Sequence, residues 1–264
     1  MPKKISALLA LSVMLLFSSV ANATVVQFQT VLGSFEVNLY DQDTPATVAN
    51  FLEYVNARAY DNVVIHRSVS GFVVQGGGFT SAGSLPLANV PANPPVTNEP
   101  EFSSVRGTIA MAKLGGNPNS ATSEWFFNLA DNSANLDVQN GGFTVFGEVT
   151  GMGMSVVDAI AAVPVFDFGG ALTSIPLRSY SAQDAANAVP ITDQNFVLVT
   201  AIVILDGAAD TAAGLSPVPN TLINPPPPPA PAPAGGGGGG GSADWAMLLL
   251  GSWYLIRRRR QSRS

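Results

Sequence analysis

The chain contains no cysteine. Disulfides, thiolate metal sites and a thiol nucleophile are therefore excluded. It has a single histidine, His66. Without a second histidine or any cysteine, a zinc site or a nucleophilic triad is poorly supported. Basic residues are scarce, and most sit at the two ends. Between Thr24 and Ser242 only five occur: Arg58, Arg67, Arg106, Lys113 and Arg178. No long apolar run is present either, because the two short ones fall near the termini. Gly76-Gly77-Gly78 lacks the Lys-Ser/Thr that a phosphate loop requires, and it reads as a tight turn.

The first end reads as a targeting segment. Lys3 and Lys4 precede a mostly apolar stretch, Ile5 to Val20, and Ala21-Asn22-Ala23 supplies a small-x-small cleavage site. This pattern predicts a signal peptide over 1–23, removed by signal peptidase. The other end holds a Pro/Ala-rich linker within 207–234, whose five consecutive prolines favour a semi-rigid polyproline II spacer. Seven glycines, Gly235 to Gly241, then lead to a 12-residue apolar stretch, Trp245 to Ile256, and to Arg257 to Arg260. At ~1.5 Å per residue that stretch is too short to span a bilayer comfortably.

The order of glycine-rich stretch, short apolar helix and arginine cluster over 235–264 resembles the GlyGly-type C-terminal sorting signal of Gram-negative bacteria. The resemblance implies a transient membrane contact, removal of the tail by a rhomboid-like protease, and passage from periplasm to cell surface or medium. A retained tail would leave the protein anchored to the inner membrane. Loss of residues 1–23 and 243–264 leaves 5 basic and 17 acidic residues, a net charge of −12. Such a product is soluble and repels nucleic acid.

The remaining span, 24–206, is long enough for one core without staples. Val25–Gln29 and Ser34–Leu39 read as a hairpin around Leu32-Gly33, the second strand alternating apolar and polar residues. Asp43-Thr44-Pro45 opens a helix, with Asp43 or Thr44 as cap and Val48, Phe51, Leu52 and Val55 as the buried face. Val63–Val69, Phe72–Gln75, Gly107–Ala112, Trp125–Leu129, Phe143–Val149 and Asn195–Leu205 read as strands, and Gly153–Ala162 as a second helix. The five prolines of 81–101 mark an ordered loop at best. These elements predict a mainly β fold, a closed antiparallel barrel of about eight strands capped by two α-helices.

One segment runs Val63-Val64-Ile65-His66-Arg67-Ser68-Val69, then Gly71-Phe72-Val73-Val74-Gln75-Gly76. A second runs Gly107-Thr108-Ile109-Ala110-Met111-Ala112 and continues to Ser123-Glu124-Trp125-Phe126-Phe127. Their order resembles the cyclophilin family of peptidyl-prolyl isomerases, over about Thr24 to Asp206. The resemblance implies the same capped barrel and rotation about X-Pro peptide bonds, with no metal or cofactor. The implied catalytic residues are Arg67, Gln75 and Phe72. The implied substrate-binding residues are Val73, Ala112, Lys113, Glu124, Phe126, Leu136 and Phe143. Proline-containing polypeptides are the expected partners, and a monomer is the expected state.

The sequence departs from that family at several places. Glu124 replaces a glutamine and places negative charge near the pocket. Trp125 replaces a phenylalanine, Phe143 a histidine or tyrosine, and Asn135 the tryptophan linked to cyclosporin binding, so weak cyclosporin inhibition is expected. The stretch 167–192 reads as a loop insertion without assigned function. His66 precedes Arg67 on a strand and should face the other way, which favours a structural role. The competing reading is a catalytically weak module that binds proline-containing segments at the cell surface.

Overall fold

The computed structural model describes residues 24–206 and 215–223. The expected signal peptide and the 235–264 tail lie outside the described residues. Among the described residues, no helix is long and apolar enough to cross a membrane.

The chain opens as the predicted hairpin, β1 (Val25–Thr30) and β2 (Gly33–Leu39). Val26 faces Val37 and Phe28 faces Phe35 across it, and all four are buried. Strand alternation thus places one continuous apolar face inward. Helix α1 (Pro45–Asn56) follows, with Val48, Phe51 and Val55 buried as expected. Leu52 is only half-buried, and Tyr54 is buried instead. The helix cap differs from expectation. The Thr44 hydroxyl turns back to donate to the Tyr40 carbonyl at 3.2 Å. The first-turn amides of Ala46 and Thr47 donate instead to the Glu99 carboxylate, at 3.2 and 2.9 Å. An anion from the proline-rich loop therefore satisfies the orphan donors and the positive end of the helix.

The span 63–69 is two short strands, β3 (Val63–Val64) and β4 (Arg67–Val69), not one. Next come β5 (Val73–Gly76), the two-residue β6 (Phe79–Thr80) and β7 (Ala88–Asn89), then β8 (Thr108–Met111) and β9 (Trp125–Asn128). A single turn of helix, α2 (Ser133–Leu136), leads to β10 (Val145–Val149) and helix α3 (Met154–Ala161). The fold ends with a small hairpin, β11 (Val165–Phe166) and β12 (Ile175–Pro176), the short helix α4 (Ala182–Ala186) and the long β13 (Leu198–Asp206).

Eleven strands form one curled antiparallel sheet, ordered β4-β5-β9-β8-β10-β2-β1-β13-β3-β6-β7. One chain segment serves both flanks. Val63 and Val64 pair with β13, the Ile65 amide donates to Val197, and the His66 amide already donates to Gln75 on β5. The strands are more numerous and shorter than the eight expected because bends such as Ile65-His66 cut them.

Inside the curl lies an aromatic core. Phe28, Phe51, Trp125, Phe127 and Phe146 are at most 2% exposed, and Phe28 stacks edge-on to Trp125 and Phe127. Full burial of each such side chain stabilises the fold by roughly 1.5–3 kcal/mol. The glycines after Gln75 serve close approach rather than a simple turn. A Cβ on Gly76 would stand 2.7 Å from the Trp125 ring, and one on Gly78 would stand 2.7 Å from Glu124.

The stretch read as a loop insertion has structure of its own. Ile175, Leu177, Tyr180 and Ile191 form a second apolar cluster with Val64, Phe196 and Leu198. The Ser68 amide donates to the Ser174 carbonyl at 2.8 Å, so this stretch covers the outer edge of β4. Part of the span read as linker also lies on the domain. Ser103 donates to Val218 and Asn220 donates to Glu101 through backbone amides, Pro219 pairs with Phe102, and Leu215 packs against the cluster that holds Tyr40, Leu136 and Val145.

Candidate functional site

Arg67 on β4 stands directly opposite Gln75 on β5, and Gln75 stands opposite Phe126 on β9. This register brings residues from three strands onto one surface. Arg67 Nη1 donates to Gln75 Oε1 at 3.2 Å. Gln75 Nε2 donates in turn to Glu124 Oε2 at 2.7 Å. The guanidinium carbon lies 5.8 Å from the Phe72 ring centre. The Arg67 fork is thus fixed on one edge and keeps donors available on the other.

A groove of about 360 Å³ opens beside this arginine. Its floor is Val73, Phe126 and Leu136, each at most 4% exposed. Phe72 and Phe143 are half-buried walls, and the Phe126 and Phe143 rings meet edge-on at 5.7 Å. Gln75, Ala112 and Lys113 also line it. The structure therefore brings together every expected site residue except one. Glu124 does not line the groove, because its carboxylate turns away to Gln75 and His66 and sits behind the arginine rather than beside a ligand. Burial pushes the Glu124 carboxyl up, but the contacts with His66 and Gln75 outweigh it and hold the group below the ordinary carboxylate range.

Two lining residues, Asn135 and Gln139, are absent from the expected set. Asn135 was singled out only as a departure from the family, and Gln139 is an exposed polar residue in a turn with no pattern to mark it. His66 is buried against Phe79, ring centres 5.0 Å apart, and stays out of the groove. Its Nε2 nonetheless lies 3.4 Å from Glu124 Oε2.

The Lys113 ammonium lies over the Phe143 ring, 4.7 Å from its centre. It donates to the Asn140 carbonyl at 3.0 Å and to the Gly142 carbonyl. Burial pushes its pKa down to about 8.

The arrangement can grip a small apolar ring while a fixed cation faces the group attached to it. Comparison with known proteins points the same way. The family model for cyclophilin type peptidyl-prolyl cis-trans isomerases matches residues 25–181. A peptidyl-prolyl cis-trans isomerase of Acinetobacter baylyi is 39% identical over 152 residues, covering 55% of this chain and 76% of that protein. Peptidyl-prolyl cis-trans isomerase A of Dickeya dadantii is 42% identical over 151 residues, covering 56% and 76%. A crystal structure of a cyclophilin type isomerase from Cryptosporidium parvum shares the fold, with a TM-score of 0.50 at 20% identity over 70% of this chain and 98% of that one.

Proposed function

The chain belongs to the cyclophilin-type peptidyl-prolyl cis-trans isomerases, and from that premise we propose how its residues perform the isomerisation. Rotation about a peptide bond costs ~18–20 kcal/mol because the nitrogen lone pair is delocalised into the carbonyl. Twisting localises that pair on the prolyl nitrogen. A catalyst must therefore bind the twisted amide better than either planar form.

Arg67 supplies the donor. Its guanidinium stays protonated and presents a rigid fork. One N–H is occupied by Gln75, and the guanidinium lines the groove, where its remaining donors serve the carbonyl and then the nitrogen as the amide twists. Val73, Phe126 and Leu136 hold the proline ring from below, with Phe72 and Phe143 at its sides. The ring is thereby fixed while the acyl side turns. No bond to carbon breaks and no proton moves. The observation that carries this reading is the Gln75-held Arg67 standing at the edge of an apolar groove. Titration with an Ala-Pro peptide followed by NMR checks it. The methyl signals of Val73 and Leu136 should move, and those of Ile175 and Leu177 should stay. Shifts confined to the second cluster would refute it.

We further propose that the two ends direct export and sorting. Residues 1–23 direct export, and residues 235–264 act as a sorting signal or an inner-membrane anchor, so the working location is the periplasm, cell surface or medium. The support is the charge and apolar pattern of the two segments. Mass spectrometry of the protein recovered from each fraction tests this through its termini. A mature form beginning near Thr24 and lacking Arg257–Arg260 is expected. An intact Met1 terminus in the cytosol would overturn it.

A further inference from the structure

We propose that this isomerase favours substrates with an anionic side chain within two residues of the proline, and that Lys113 is the residue that selects it. The inference rests on the Arg67 groove being the proline site.

Of the five basic residues between Thr24 and Ser242, Arg58 pairs with Asp61 and Arg106 with Asp158, each at 2.7 Å. Arg178 lies outside the groove and donates to the Phe196 carbonyl. The remaining two, Arg67 and Lys113, line the groove. Among the described residues, neither has a carboxylate within ion-pair distance. The carboxylate behind Arg67, Glu124, is engaged by Gln75 and His66.

Lys113 is held in place without being neutralised. Its partners are two backbone carbonyls and the face of Phe143, all uncharged. An ammonium has three N–H donors, and these carbonyls use two. The third can serve a ligand. The residue is half-buried, so its charge is screened less than that of a solvated lysine. Its downward pKa displacement reflects the same uncompensated desolvation.

Position adds selectivity. Arg67 and Lys113 line one groove together with the aromatic surface of Phe126 and Phe143, and Lys113 sits over Phe143. With the proline ring on that surface and Arg67 at the reacting amide, the group that reaches Lys113 belongs to a neighbouring residue. The rest of the molecule opposes this preference, since the 24–242 portion carries a net charge of −12. Those charges act over longer distances and fade beyond a screening length of about 8 Å at physiological salt, whereas a contact at the ammonium does not. The local cation therefore wins once the peptide is seated.

The test is exchange NMR on the full chain, which needs no coupling protease. Tetrapeptides carry Glu, Gln or Lys at each of the three positions around proline in turn, beside an all-alanine reference. In the wild type, kcat/KM for Glu should exceed that for Lys by about three- to tenfold at one or more positions, the size of a partly desolvated ion pair. Lys113→Arg should keep that ratio, and Lys113→Gln should bring it to about one. A wild-type ratio near one at every position, or a ratio unchanged in Lys113→Gln, would overturn the proposal. Failure to accelerate the all-alanine reference would instead strike the Arg67 reading. The Glu-to-Lys ratio of binding constants, from shift titrations of the same peptides, would then decide the preference in the same way.

Discussion

His66 Nε2 lies 3.4 Å from Glu124 Oε2, and the same oxygen accepts from Gln75, which holds Arg67. Two adjacent residues at the start of β4, facing opposite ways, are thereby joined through a carboxylate that just precedes β9. The buried histidine supports the guanidinium from behind without touching the groove.

That linkage predicts an acid limb in the pH profile. The Glu124 carboxyl is held below the ordinary carboxylate range, so its contribution is complete above the unfolded value and is lost as pH falls through the folded one. Wild-type activity should decline only in strongly acid solution, as Glu124 takes up a proton. Glu124→Gln keeps an acceptor for Gln75 and should flatten this limb. Glu124→Leu removes the acceptor and should lower kcat/KM roughly tenfold, the size of one lost hydrogen bond to a charged group. pH-rate profiles of the three proteins decide it.

Lys113 should titrate near 8, and it is the single lysine beyond Lys4. Reductive methylation with labelled formaldehyde therefore gives one side-chain NMR signal from the residues beyond Lys4. Its folded pKa is below the unfolded value, so the unfolded chain binds the extra proton between about 8 and 10.5. In that window this group makes stability rise with pH, and the cost of its burial is fully present below it. Denaturation curves of wild type and Lys113→Met should converge or cross in that direction. A titration at the ordinary lysine value would contradict the burial argument.

Glu99 should behave as the cap of α1 despite lying over forty residues from the helix end. Glu99→Ala is expected to cost about 1 kcal/mol, as a lost cap does, and Glu99→Gln less. Thr44→Ala should cost little, because its hydroxyl does not reach the helix amides. Urea titrations of the three variants give the comparison.

Phe28 touches Phe35, Phe51, Trp125 and Phe127 and is fully buried. Phe28→Ala should lower stability by about 3–5 kcal/mol. It lies in the central core rather than the groove, so the remaining folded molecules should turn over peptide at close to the wild-type rate. Denaturant unfolding read alongside activity per folded molecule separates the two effects.

These contrasts mark how far the sequence could be read. The β1–β2 hairpin, the face of α1 and the span of α3 follow from short-range pattern, and the structure places them within a residue or two. The groove residues Arg67, Phe72, Gln75 and Phe126 were legible through two separated motifs whose order resembles a known family. Periodicity alone would have assigned Phe126 and Leu136 to ordinary core. What escaped depends on distant contacts. The cap from Glu99, the edge pairing of Ser174 with β4, and the docking of Leu215–Ile223 beside Phe102 join segments with no shared pattern. The orientation of Glu124 escaped for a related reason. Its side chain could turn to a ligand or to His66, and only the packed position of His66 decides between them.

The most direct measurement compares the full chain with Arg67→Ala and Arg67→Lys on one proline tetrapeptide by exchange NMR, with circular dichroism to confirm folding. The account predicts that Arg67→Ala, while folded, loses two or more decades of kcat/KM, as removal of a key transition-state donor does. Arg67→Lys should recover little, because a point charge cannot replace the fork. A folded Arg67→Ala variant within about threefold of wild type, less than the loss of one hydrogen bond to a charged group, would contradict the assignment of the reaction to Arg67.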